Sequence, residues 1–341
     1  MKAKVGKTAN ILLRLLIIVL SFWFVYHQLV HHRSFSEVFQ QFKQLSFESA
    51  RKELQWLVLL LMPINIALES FKWKLLIDKL EKVSFNRAFT AVLSGISVSM
   101  IMPNRVGDFL GRVFILQKES HIKGILVTLI GSVSQTLTTF LAGSIAFAFS
   151  TNLFLDFETP LNESLRFGIL LVIFLLLIFS ILLYFNVGLV KFVAKGIFPR
   201  RHEKLHKYID VFTLYSQLEL LKILSLSILR FLVYTLQYYL LLLICGFEID
   251  YLTAMMFISM TYVLLTIVPT IVITELSIRG SIAIYLFGLY FSNTAFWEAS
   301  GPTAVFTASS VLWVLNLIIP ALFGIIFVYR LRFFRKQDLN E

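Results

Sequence analysis

The stretch MIMPNRVGDFLGR, Met100–Arg112, closes an apolar run that begins at Ala88 and has only Thr and Ser as its polar members. It then breaks at Pro103 and sets Arg105, Asp108 and Arg112 within eight residues. A second stretch repeats the arrangement. The apolar run Ala254–Val268 ends at Pro269, and Glu275 and Arg279 follow. In both places an acid precedes an arginine by four residues, the favourable order for an ion pair on a helix. The fold turns on why a chain would place such charges beside apolar runs.

Composition supplies the solvent. Of 341 residues, 58% are hydrophobic and 15% charged, more apolar surface than one soluble core can hide. The net charge of +11 lies in short stretches between apolar segments, as expected of cytoplasmic loops and not of a nucleic-acid surface. The single cysteine, Cys245, excludes an intramolecular disulfide and a cysteine-based metal cluster, and reads as a packing residue. The first apolar stretch follows Lys2, Lys4 and Lys7 but is interrupted by Arg14 and has no small-residue cleavage site, so it reads as a retained helix.

Six stretches reach the roughly 20 residues that a bilayer's hydrocarbon core demands. They are Ala9–Tyr26, Leu54–Ile77, Gly124–Ser150, Phe167–Val187, Ile223–Cys245 and Thr303–Tyr329. Phe89–Met102 and Ala254–Val268 span only about 21–22 Å as helix. Each is followed by a charged turn and a second short apolar piece, Phe109–Leu116 and Ser281–Phe291. Basic loops (around Lys72–Arg87, Lys191–Lys207 and Arg330–Lys336) are assigned to the cytoplasm, and acidic loops (Asp156–Glu163, Glu248/Asp250, Glu298) to the outside. Both short pairs must then enter and return, from opposite faces.

The expected fold is an all-α polytopic membrane protein with six spanning helices and two opposed re-entrant helical hairpins. It divides into two inverted repeats, residues 1–155 and 156–341, in one membrane domain. Both termini are expected on the cytoplasmic side of the inner membrane. Two linkers fit the repeat. Ser34–Leu45 opens with a Ser34/Glu37 capping box and carries an apolar stripe, and Leu205, Tyr208, Ile209, Phe212, Tyr215 and Leu218 form a second stripe. Broken segments at corresponding positions of inverted halves are the best sequence pointer to a transporter's binding site.

Two readings of the acid–arginine pairs stand side by side. They staple each hairpin, or they serve a ligand. Charge at membrane depth costs several kcal/mol, about 2.5–3.5 on insertion scales, which favours a use. In the second reading Arg112 and Arg279 grip phosphate through paired donors, Asp108 and Glu275 position them or accept an amine, and Arg105 guides the ligand from the inner side. Pro103 and Pro269 break the hairpins, and Gly107 and Gly280 permit close approach. Glu69 and Asn104 are possible cavity residues. Lys72 and Lys74 are expected to snorkel to the surface. Trp23, Trp56, Trp73 and Trp297 read as interface belts, and the 34 phenylalanines as lipid-facing bulk.

WKLLIDKLEKVSFNRAFTAVLSGISVSMIMPNRVGDFLGRVFIL, Trp73–Leu116, with VPTIVITELSIRGSIAIYLFG, Val268–Gly288, resembles the membrane region of lysyl-phosphatidylglycerol synthases and the stand-alone flippase-like integral membrane family. The second motif departs from the glycine-rich form, with Thr274-Glu275 where glycines often stand. The resemblance implies movement of a phospholipid or lipid-linked substrate, aminoacylated or glycosylated, between leaflets. No synthase domain is read in these residues, so another protein would make the lipid. The alternative is a membrane subunit presenting lipid to a glycosyl- or aminoacyl-transferase. His202-Glu203-Lys204-Leu205-His206 matches H-E-x-x-H, but Arg200, Arg201, Lys204 and Lys207 surround it with a field that repels zinc. No cofactor, metal or nucleic-acid partner is expected.

Overall fold

The computed structural model describes residues 52–100, 102, 106–116, 121–151, 160–186, 210–268 and 272–328. Every regular element among the described residues is helical. Five helices are long and apolar enough to cross a bilayer: α1 (Lys52–Ile77), α4 (His121–Ser150), α5 (Pro160–Phe185), α6 (Gln217–Ile244) and α10 (Gly301–Val328). They match five of the six expected spans, and Ala9–Tyr26 lies outside the described residues. The chain is a polytopic membrane protein, and α5 shows why. Phe167, Val172, Phe174 and Leu176 are all exposed along it, a surface that only lipid or other protein can cover.

The shorter elements are α2 (Phe85–Ser99), α3 (Gly107–Val113), α7 (Tyr251–Ile267), α8 (Val272–Phe291) and α9 (Ala295–Ala299). Local chemistry sets their ends. Ser84 Oγ accepts the Arg87 N–H at the start of α2, and Ser216 with Glu219 forms a capping box on α6. α6 stops where Gly246 takes φ +80°, with Phe247 N–H donating to Leu242 O and Gly246 N–H to Leu243 O. Asp250 caps α7, and the N–H of Thr253 holds its carboxyl below the usual range.

The pairs differ from the sequence reading in one respect. Asp108 and Arg112 lie within α3, and Glu275 and Arg279 within α8, so the expected charged turns are helical. α8 begins nine residues before the expected piece Ser281–Phe291. Acid and arginine four apart support a helix turn, whereas apolar patterning alone cuts the element at its charges.

α1 and α6 run antiparallel. Tyr215 OH donates to Leu76 O (2.6 Å), Arg230 Nε to Asn65 Oδ1 (2.8 Å) and Gln237 Nε2 to Val58 O (2.8 Å). α2 and α3 touch backbone to backbone. A Cβ on Gly107 would collide with the Val98 carbonyl, and one on Gly111 with the backbone of Gly95. Small residues allow this closeness, the usual device for packing helices in lipid. α10 packs on α2 by the same means, with Gly324 against the Leu93 carbonyl and Ser97 Oγ donating to Ala321 O (2.6 Å). Met100, beyond α2, and Leu276, in α8, share a small buried cluster with Trp313.

Several side-chain expectations are corrected. Trp56 is 73% exposed, but Trp73 is 1% exposed and donates Nε1 to Thr128 Oγ1 (3.0 Å), and Trp297 is buried against Gly288 and Gly301. An indole can use its single donor inside a bundle as well as at an interface. Phenylalanines serve both sides: Phe149 and Phe167 face outward, while Phe257 and Phe287 sit fully buried in a core with Tyr238. Cys245 packs in that core. The second amphipathic stripe does not continue to Leu218. Asp210–Leu214 is a 3₁₀ turn, Tyr215 is buried, and Leu218 lies in the first turn of α6 as an exposed residue. Ser34–Leu45 lies outside the described residues, as does Leu205–Ile209.

Candidate functional site

Half-way along α6, Arg230 is about 20 Å from either end of its helix. It is the one charged residue between Lys222 and Glu248. Its Nη1 lies 3.0 Å from Glu69 Oε2 on α1 and donates to Gln135 Oε1 on α4 (3.2 Å), while Nε donates to Asn65. Glu69 is the hub of this cluster. Lys72 Nζ stands 2.9 Å from Oε2, and Arg112 Nη1 donates to Oε1 at 2.6 Å. Arg112 in turn grips Asp108 with two parallel bonds, Nε to Oδ1 (2.8 Å) and Nη2 to Oδ2 (2.5 Å). Three cations therefore share one buried carboxylate, and one of them is braced by a second.

This overturns the surface assignment of Lys72. The residue is 1% exposed, and its Nζ also donates to Ser227 Oγ (3.3 Å). Glu69 is one turn away on the same face, so the lysine finds its anion inside the bundle and has no need to reach water. Lys74, two residues on, does turn to the partly exposed side and pairs with Asp78.

The second cluster comes from α8. Arg279 Nη2 donates to Glu275 Oε1 (2.9 Å), and Nη1 to Tyr234 OH (3.5 Å). The guanidinium carbon lies 5.6 Å from the centre of the Tyr262 ring, a cation–π contact. Arg279 is buried, and its Nε has no hydrogen-bond partner.

Both clusters open on one cavity of about 690 Å³. Asp108, Arg112, Glu275 and Arg279 all line it, as does Glu69. Gly107 supplies the close backbone approach expected of it; Gly280 instead receives the Phe306 ring. Pro103, Asn104, Arg105 and Pro269 lie outside the described residues, and so does the H-E-x-x-H stretch at 202–206.

Other lining groups escaped the sequence reading. Arg230 was the clearest signal, since a lone arginine inside an apolar span is a functional candidate in its own right. Asn65, Gln135 and Asn316 carried weaker ones. Asn316 sits in a π-helical turn, Val314–Ile318, that interrupts α10. Its Nδ2 donates to Gln237 Oε1 (2.8 Å) and to Leu312 O (3.1 Å), fixing the turn against α6. Turns of this kind recur at functional sites because they free backbone and re-aim side chains.

Neither curated proteins nor solved structures give a match to the chain. A family model described as Lysylphosphatidylglycerol synthase TM region matches residues 11–280, which takes in both acid–arginine pairs and every other charged residue of the cavity. The chain belongs to the family of the Lysylphosphatidylglycerol synthase TM region.

Proposed function

We propose that the protein translocates a phosphate-headgroup lipid between the leaflets of the inner membrane. The observation that carries this reading is the meeting of two acid–arginine pairs, from α3 and α8, on one cavity amid the spanning helices. A headgroup crossing there would leave its acyl chains in the bilayer and exchange water for fixed donors. Arg279 offers an N–H with no acceptor. Arg112 already spends three N–H groups on Asp108 and Glu69, so it would hold phosphate by trading one of them. Asp108 and Glu275 keep the two forks oriented, and Arg105 guides the headgroup in from the cytoplasmic side.

In this reading α2 with α3, and α7 with α8, are re-entrant hairpins entering from opposite faces of two inverted repeats, 1–155 and 156–341. The shared cluster of Met100 and Leu276 supports a meeting of the two. Alternate opening of the halves would expose the cavity to each leaflet in turn, with both termini cytoplasmic. The test is a leaflet-accessibility assay on reconstituted vesicles containing a labelled phospholipid. The expected result is a translocation rate that falls at least about ten-fold in Arg112→Ala/Arg279→Ala, in line with the loss of charge-assisted bonds. Equal rates in the two proteins would remove these residues from the mechanism.

A further inference from the structure

Resting on that translocation reading, we infer that the headgroup this cavity accepts is anionic overall and rich in acceptors, a phosphodiester bearing hydroxyl groups, and that a headgroup with a primary ammonium is excluded. The first ground is charge. Among the described residues lining the cavity, Lys72, Arg112, Arg230 and Arg279 face Glu69, Asp108 and Glu275, leaving one positive charge in surplus.

The second ground is occupancy. An ammonium has three donors and no acceptor, so at this depth it needs a carboxylate. Asp108 is held by both arms of the Arg112 fork, Glu275 by Arg279, and Glu69 by three cations. An incoming ammonium would have to evict an arginine and strand it, buried and unpaired. One aromatic alternative is also filled, because the Tyr262 ring that could receive an ammonium already faces Arg279.

The third ground is the sign of the unused hydrogen-bond capacity. Among the described residues, five buried side-chain atoms of the cavity lining have no hydrogen-bond partner: Arg279 Nε, Asn65 Nδ2, Trp313 Nε1, Tyr262 OH and Glu69 Oε2. Three of them only donate, the Tyr262 hydroxyl can donate or accept, and Glu69 Oε2, the one pure acceptor, is already ion-paired to Lys72 and Arg230. Buried donors without acceptors are uncommon in folded proteins. Phosphate oxygens and hydroxyls are the complementary groups, and small rotations of these side chains would bring them into reach.

The experiment compares three lipids of equal chain length in vesicles holding the full-length protein: phosphatidylglycerol, its lysyl ester and phosphatidylethanolamine. Binding is read by native mass spectrometry, and translocation by leaflet accessibility. The expected result is phosphatidylglycerol bound and moved at least about ten-fold better than either ammonium-bearing lipid. Arg230→Gln, which cancels the surplus charge, should bring the preference to within about two-fold, and Arg230→Lys should restore it. If the lysyl ester moves as well as phosphatidylglycerol, the inference is overturned while translocation stands. If none of the three moves, the translocation reading falls and this one with it. Soluble glycerol phosphate is the fourth arm: binding as tight as that of phosphatidylglycerol would identify a free phosphate as the ligand and overturn the assignment to a lipid.

Discussion

Arg112 Nη1 lies 2.6 Å from Glu69 Oε1, tying the seven-residue helix α3 to α1. A helix that short does not hold itself together. Its place is set by this bond and by the glycine seam with α2, while the fork on Asp108 ties one turn of α3 to the next. The charges that would serve a headgroup thus also build the walls around it.

Removing Glu69 should therefore be costly. In Glu69→Gln, Lys72, Arg112 and Arg230 lose their shared anion, and the expected destabilisation is roughly 3–5 kcal/mol, as for other broken buried ion pairs. Thermal unfolding in detergent reads it. The double variant Glu69→Gln/Arg230→Gln should recover part of the loss, because the two residues are coupled. A double variant whose loss equals the sum of the two single losses would show that Arg230 does not depend on Glu69.

The glycine seam makes a sharper prediction. A Cβ at Gly95 would collide with Asp108 and Arg112, whereas one at Gly168 on α5 meets open space. Gly95→Val should cost at least about 1–3 kcal/mol through overpacking and should loosen α3. Gly168→Ala should leave stability unchanged or slightly raised. Thermal unfolding of the two variants side by side separates a packing effect from a general intolerance of substitution.

Asn316→Leu deletes the donor that satisfies Gln237 Oε1 and leaves that oxygen buried. The expected cost is about 1–3 kcal/mol. Asn316→Leu combined with Gln237→Leu should lose less than the two single changes added together. Unfolding measurements on the three variants check it.

The tryptophans can be placed by light. With a single tryptophan retained at Trp56, bromine-labelled acyl chains should quench the fluorescence strongly. With Trp73 alone retained, quenching should be weak, because the indole is enclosed and bonded to Thr128. Strong quenching at Trp73 would place α1 with its other face toward lipid.

The sequence announces some of this and hides the rest for physical reasons. The five described spanning helices follow from apolar runs of sufficient length, and the acid–arginine spacing marks the residues of α3 and α8 that line the cavity. The start of α8 is lost because charges at a helix start look like a turn to any hydropathy scale. Lys72 is misjudged because spacing places it on the face of Glu69 but does not say which way that face points; the packing of α6 against α1 decides that. Trp73 fails for the same reason. Arg230 was legible in principle, alone in its apolar span, but its partners Asn65 and Gln135 lie 165 and 95 positions away and only the fold brings them together.

The central claim is that a lipid headgroup passes through the cavity at mid-depth. A phospholipid with a photoreactive headgroup, supplied to one leaflet and traced by peptide mass spectrometry, tests it most directly. The account predicts adducts on Tyr234 and Tyr262, beside Arg279, and their loss in Arg112→Ala/Arg279→Ala. Adducts confined to outward-facing residues such as Trp56 and Phe149, with none in the cavity, would contradict it.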